Sequence, residues 1–336
     1  MLVHRVAPLA IAAALGLAGA GAGAASDPAV DWTGLHHETK VVDLAGPGPD
    51  GSIFVAANGR LKVISTGGAI RSFAPGYSAP SGLEAYMTLS SGQRVPGAGC
   101  GWPAANLYAL RLTKDPGITV VTPQGQVSNL VSLHPNGLEN GIAFDTTGRF
   151  GHRLLVTATT TTKTPTRVTT LYAISCNGHV QTLTRTGPRI EGGMVVAPST
   201  FGNFAGDLLA ADEYSSKVYA FMPNGHSKLV VRTGVPGGGD IGTESLGIVP
   251  ARFGEALVSD RGFPPDKRNP GDDEILKLSR AALTEAGVKP GQLLTVAEGG
   301  AGTVVVSCSS TCRARYIGHG PHRAHVEGHV VFTAAS

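Results

Sequence analysis

Met194-Val195-Val196, Leu208-Leu209-Ala210-Ala211-Asp212, Lys217-Val218-Tyr219-Ala220-Phe221 and Ser227-Lys228-Leu229-Val230-Val231 follow one another along the chain. Gly202-Asn203-Phe204-Ala205-Gly206 separates the first two runs, and Pro223-Asn224-Gly225 separates the last two. Short apolar runs broken by Gly, Pro and Asn read as strands joined by tight turns. Four such strands in succession are the grammar of a β-propeller blade.

The same grammar recurs outward from this stretch. Gly141-Ile142-Ala143-Phe144-Asp145 leads through a Gly turn to Leu154-Leu155-Val156-Thr157. Leu246-Gly247-Ile248-Val249 leads to Ala256-Leu257-Val258-Ser259-Asp260, read as the next strand of the same unit. Near the start, Val41 to Leu44 leads through Pro49-Asp50-Gly51 to Ile53-Phe54-Val55-Ala56, followed by Arg60 to Ile64 and Ala69 to Phe73. Glutamate marks the phase: Glu84, Glu139, Glu191, Glu244 and Glu298 are 55, 52, 53 and 54 residues apart, and Glu38 lies 46 residues before Glu84. The chain has 11 Glu, so more than half share one phase. A mature length of about 310 residues holds about six such periods. Only 38 residues follow Glu298. Residues 26–37 are expected to supply the missing outer strand and close the ring, which removes exposed sheet edges. The expected fold is all-β: a single propeller of about six four-stranded blades, closed by the mature N-terminal segment.

Composition agrees. Charged residues make up 15% of the chain, with 47 Gly and 22 Pro. The net charge of +3 is scattered, with no basic stripe carrying interleaved aromatics, which argues against nucleic acid as a partner. Met1 to Arg5 reads as a short basic n-region, Val6 to Gly21 as an apolar h-region and Ala22-Gly23-Ala24 as a cleavage site. The expected division is a signal peptide over 1–24 and a propeller over 25–336, in a secreted protein with no membrane span after cleavage. A retained membrane anchor is the alternative. A monomer is expected. Cys100, Cys176, Cys308 and Cys312 are an even set in an oxidising compartment. Cys308 with Cys312 across a hairpin is the preferred pairing, leaving Cys100 with Cys176; a metal site is the rival reading.

Pro49-Asp50-Gly51-Ser52-Ile53-Phe54-Val55-Ala56, Asn140-Gly141-Ile142-Ala143-Phe144 and Leu208-Leu209-Ala210-Ala211-Asp212 resemble blade signatures of NHL-type propellers. They are also similar to the SMP-30/gluconolactonase and strictosidine-synthase-like group. The lactonase resemblance implies a metal-binding Asn at the start of an inner strand, which maps onto Asn140. It also implies a carboxylate near the N-terminus and an Asp on a later inner strand, with Glu38 and Glu191 as rough matches.

Inner strands of a propeller begin at one mouth of the central channel, so phased glutamates are expected to gather there. Asp212, Asp260 and Asn58, at the ends of second strands, are expected on the same rim. Crowded carboxylates stay ionised only with compensation: protons, basic groups or a bound cation. Hard oxygen ligands favour a divalent metal such as calcium. The expected metal ligands are Glu84, Glu139, Asn140, Glu191 and Glu244. The alternatives are that each Glu caps its strand start or pairs with Arg, or that the alignment is fortuitous. A second constellation is His319, His325, Glu327 and His329, a candidate catalytic set for acid–base work or metal binding, with Tyr316-Ile317-Gly318-His319 read as ending a second strand. A solvated hairpin is its alternative reading. His36-His37 is expected to approach the same mouth if the N-terminus closes the ring. Gly-x-Ser-x-Gly, His-Glu-x-x-His and P-loop motifs are missing from the sequence. These features point to a metal-dependent enzyme acting on a small molecule, with ester or lactone hydrolysis first. The alternatives are a non-enzymatic propeller binding a ligand, glycan or protein, and a lyase or cyclase using a His/Glu base.

Overall fold

The computed structural model describes residues 30–90, 92–161 and 167–335; the expected signal peptide lies outside the described residues. Four separate four-stranded sheets form blades I to IV, and a nine-stranded sheet contains the last two. Blade I runs through Val41–Ala45, Ile53–Ala57, Arg60–Ile64 and Ile70–Phe73. Blade II is built of Met87–Leu89, Leu107–Arg111, Gly117–Val121 and Val127–Ser132. Blade III is Leu138–Phe144, Leu154–Thr159, Thr169–Ile174 and Val180–Gly187, and blade IV is Met194–Val196, Leu208–Asp212, Lys217–Phe221 and Ser227–Arg232. Each blade is antiparallel, with its first strand innermost.

The nine-stranded sheet divides where two inner strands, Thr243–Ile248 and Val326–Phe332, meet in parallel through a single bridge, Leu246 to His329. Blade V is Thr243–Ile248, Leu293–Ala297, Thr303–Cys308 and Cys312–His319, with Val30–Asp31 added in parallel at its outer edge. Blade VI is Val326–Phe332, Ala256–Asp260, Glu274–Leu278 and Thr33–His37. The N-terminal segment therefore supplies the outer strand that closes the ring, as expected, while the last strand of the chain supplies the inner one.

Two sequence readings are corrected here. Thr243–Ile248 pairs with Leu293–Ala297, so Ala256–Asp260 is not the next strand of its blade but the second strand of blade VI. The chain leaves blade V after one strand, builds two strands of blade VI, passes through the short helix Arg280–Glu285 and then returns. The two inner strands have equivalent apolar patterns, so local sequence does not say which one a following strand joins. Cys312–His319, likewise, is the outer strand of blade V and not a second strand, which puts His319 at the exposed periphery, opposite Asp31.

Six clusters of buried side chains lie between neighbouring blades and give the ring its stability. Leu44, Val55, Leu257 and Val331 join blades VI and I. Leu294, Val296, Val258 and Leu276 join V and VI. Blades II and III meet at Trp102, Tyr108 and Phe144, packed edge to face with ring centroids 5.0 to 5.1 Å apart. Second strands such as Leu208–Asp212 are buried on both faces, which is why they read as unbroken apolar runs. Outer strands such as Val127–Ser132 stay largely exposed and polar. Both disulfides form as paired in the sequence reading: Cys100 with Cys176, and Cys308 with Cys312. No helix among the described residues is long and apolar enough to cross a membrane.

Candidate metal centre

At one mouth of the channel, Glu84, Glu191, Glu213, Asp240, Glu244, Arg261, Phe263, Glu298, His325 and Glu327 enclose a cavity of about 60 Å³. Glu84 and Glu191 precede the inner strands of blades II and IV, and Glu244 lies on that of blade V. Glu213 follows the second strand of blade IV, and Glu298 follows the second strand of blade V. His325 and Glu327 come with the final strand. Close backbone approach makes the clustering possible: a Cβ at Gly242 would lie 1.7 Å from the Glu213 carbonyl oxygen, and one at Gly192 would lie 2.2 Å from Glu244 Cγ.

Two arginines neutralise the outer carboxylates. Arg261 is 5% exposed; it donates to Glu84, to Glu327 at 2.8 Å and to the Gly82 carbonyl at 2.8 Å. Arg189 donates to Glu191 at 2.7 Å, to Asp212 at 3.2 Å and to Glu213, and lies 3.9 Å from the centroid of the Tyr214 ring.

Glu327 is also tied to the inner carboxylate of Glu244. The Tyr86 hydroxyl lies 2.9 Å from Glu244 Oε1 and 2.8 Å from Glu327 Oε2. One hydroxyl proton serves one acceptor, so the second contact is satisfied when the other carboxyl carries a proton and donates it. Burial, reinforced by the charges of Glu327, Glu298 and Glu213, pushes Glu244 well above the usual carboxylate range. Burial also acts on Glu327, but the hydrogen bond from His325 and the charge of Arg261 hold it at about 2. Glu244 is therefore the proton carrier of the pair. Burial raises Glu191 and Glu298 too, and Glu84 is pushed up to about 7 by burial and by Glu327, against the pull of Arg261.

The donor set fits a cation. Glu298, His325 and Glu327 each offer a ligand atom, all within 4.8 Å of one another, and so do Glu213, Glu244 and Glu298. Glu298 belongs to both groups. It is 3% exposed, and its Oε2 has no hydrogen-bond partner although it is buried. Its own backbone is pinned, donating to Gly242 O at 2.7 Å and accepting from Val326 N at 2.8 Å. His325 Nδ1 lies 3.1 Å from Asn269 O, so an Nδ1–H donated there leaves the Nε2 lone pair facing Glu298 Oε1 at 3.0 Å and Glu327 Oε1 at 3.4 Å. That is the orientation a ligating imidazole takes. Without a cation the contacts need a proton, and the bonds to Glu298 and Glu327 raise His325 to about 11 although burial alone would lower it. A cavity of this size holds an ion with a water or two.

Of the residues the sequence singled out, Glu84, Glu191, Glu244, His325 and Glu327 meet at this mouth, and the phase-marking Glu298 joins them. Glu139 and Asn140 do not. The inner strand of blade III shifts register between Glu139 and Gly141, and that of blade V between Thr243 and Ser245. Asn140 is thus the counterpart of Glu244, and Glu139 that of Thr243. A one-residue offset sends a side chain to the opposite face of a strand. Asn140 donates to the Ile190 carbonyl and to Thr159 Oγ1, tying blade III to the approach of blade IV. Glu139 is buried away from the mouth. His329 lies deeper in the channel, its Nδ1 3.0 Å from Asp43 Oδ1. His319 stacks on His322 at the periphery. Glu38 pairs with Lys62, and His36 meets the Gly68 carbonyl, both away from the mouth. Asp260 accepts from the backbone N–H groups of His325 and Asp272, while Asn58 accepts from Ser81. Glu213, Arg189 and Arg261 were missed, although each adjoins or lies two residues from a residue already singled out: Asp212, Glu191 and Asp260.

No protein-family model matches the chain, and no curated protein matches it. Solved structures similar in fold include a catalytically inactive virginiamycin B lyase from Staphylococcus aureus with quinupristin, 11% identical over 91% of this chain and 81% of that chain, with a TM-score of 0.49. Regucalcin from Agrobacterium tumefaciens, a calcium-binding protein, is 10% identical over 88% of this chain and 79% of that chain, with a TM-score of 0.49. A chain of the nidogen/laminin complex is 11% identical over 88% of this chain and 86% of its own length, with a TM-score of 0.47. At these identities the likeness is one of fold.

Proposed function

We propose that this is a secreted protein that holds a divalent cation at the acidic mouth and acts with it on a small molecule seated above. The carrying observation is Glu298: a buried carboxylate with an unpartnered oxygen, shared by two groups of ligand-spaced side chains. The Glu213–Glu244–Glu298 side is all oxygen and suits calcium or magnesium, while the imidazole of His325 opens the site to first-row cations. A cation there supplies polarisation of a carbonyl and activation of water, the chemistry of ester or lactone hydrolysis. The chain's own contribution is position and proton transfer. Glu84 and Glu191, with side chains 27% and 28% exposed, are the carboxyls that face outward and can exchange a proton with a substrate. Tyr214, 54% exposed and backed by Arg189, and Phe263 offer apolar surface beside them. His325 is 1% exposed and faces carboxylates, which disfavours a His base acting directly on substrate. The pairing of Arg189 and Arg261 with the outer carboxylates favours a second reading, a ligand-binding propeller in which the mouth is a fixed charge network.

The test is elemental analysis of the untagged protein before and after chelation, with thermal melts and an ester and lactone screen. Near-stoichiometric divalent cation, lost together with turnover in Glu298→Gln, is the expected result. No bound metal and a melt unmoved by chelation would sink the cation reading. Bound metal without turnover would leave the ligand-binding propeller.

A further inference from the structure

The other end of the channel opens into a second, larger cavity of about 460 Å³. All six inner strands line it, through side chains such as Leu89, Phe144, Val195, Ile248 and Phe332, and His329 stands at its floor. Its size falls in the range of small-molecule sites. Its chemistry is the reverse of the acidic mouth: among the described residues, His329 is the only lining side chain that titrates. That ring has nothing left to give. Nδ1 lies 3.0 Å from Asp43 Oδ1 and Nε2 lies 3.1 Å from the Ile142 carbonyl. Asp43 in turn accepts the backbone N–H groups of Met87 and His329, so floor charge and floor hydrogen bonds are both settled within the protein. At the rim, Pro47, Pro198 and Pro250 follow the inner strands of three blades and remove N–H donors where a polar ligand would look for them.

We infer that this funnel is a binding site for a neutral, largely hydrocarbon small molecule, separate from the cation mouth. A charged ligand would lose its hydration and find no free counter-charge. A peptide would bring a polar backbone to a lining whose side-chain partners are few, among them the Thr88 and Thr146 hydroxyls. A second copy of this chain would have to insert a protrusion deep into the ring to cover the same walls.

Titration of the full mature chain with the neutral fluorophore phenylnaphthylamine tests this. One saturable site is expected, with clearly weaker binding of the anionic anilinonaphthalene sulfonate. Ile248→Lys and Thr88→Lys place a charge on the wall and are expected to weaken binding by about tenfold or more. Arg232→Gln on an outer strand should bind as the parent does. Ile248→Trp, which fills the space without a charge, serves where a lysine unfolds the chain. No saturable binding by the parent, parental binding by the wall variants, or equal affinity for the sulfonate overturns the inference. So does a dimer in sedimentation that excludes the fluorophore, since a second copy would then own the funnel.

Discussion

Replacing Glu139 by Gln changes one atom in a wall where the protein makes no provision for a charge. Glu139 is 1% exposed, and neither carboxylate oxygen has a hydrogen-bond partner. Burial pushes its carboxyl up to about 7 from 4.5, against the weaker pull of its own backbone N–H and of Arg111. A raised folded value means that the folded protein holds the proton more tightly than the unfolded chain. The associated stability is fully present below the unfolded value and is lost as pH rises through the folded one. Linkage across that interval gives a loss of about 2.5 kcal/mol between pH ~5 and pH ~8. For a domain of this size that is a fall in Tm of about 4 °C. Gln keeps the shape and has no proton to lose. Glu139→Gln should match the parent near pH 5 and exceed it by about that amount near pH 8, because other titrating groups cancel in the difference. Urea denaturation of both proteins at the two pH values measures it. Parallel stabilities across the range would refute the reasoning: Glu139 would then not be a buried acid, and its separation from the mouth would be wrong.

Arg261→Met should destabilise the fold by about 3–5 kcal/mol, because it leaves Glu327 buried with a charge and one fewer partner. Added divalent cation should restore part of the loss in the same denaturation experiment. Tyr86→Phe removes the hydroxyl between Glu244 and Glu327 and should cost about 1–3 kcal/mol, measured the same way. Replacing both Cys100 and Cys176 by Ser should cost about 4 kcal/mol, and replacing Cys308 and Cys312 about 2 kcal/mol, because the first pair closes a far longer loop in the unfolded chain. Thermal melts of the two double variants rank them.

Most of the propeller could be read from the sequence because blade strands carry their burial in their composition. Leu208–Asp212 and Ala256–Asp260 are apolar on both faces, and Pro223-Asn224-Gly225 turns where it reads as turning. The glutamate phase found the mouth, since Glu84, Glu191 and Glu244 do converge. Its limit was one residue. A period near 53 cannot distinguish Glu139 from Asn140, yet the bulge in blade III decides which of them shares the position of Glu244. Arg189 and Arg261 were hidden for another reason. A counter-ion is specified by the space beside a carboxylate, and an isolated Arg after a strand has no periodicity to betray it. The cross-over between blades V and VI was hidden because strand partnership depends on the ring's need to close, which no local pattern states.

That cross-over is also what assembles the candidate metal centre. Glu298 follows a strand the chain reaches only after building half of blade VI, and His325 and Glu327 arrive on the strand that closes the ring. The joints are backbone bonds: Glu298 N to Gly242 O at 2.7 Å within blade V, Arg261 N to His325 O at 2.8 Å within blade VI, and Val326 N to Glu298 O at 2.8 Å between the two. The Glu298–His325–Glu327 group therefore exists only when the last strand is seated between Thr243–Ile248 and Ala256–Asp260. A cation held there binds the closed ring and not the open one, and so stabilises closure by mass action. Two ligand-spaced acids and a histidine, costly to crowd without a cation, are thus placed where the two halves of the interleaved chain must meet.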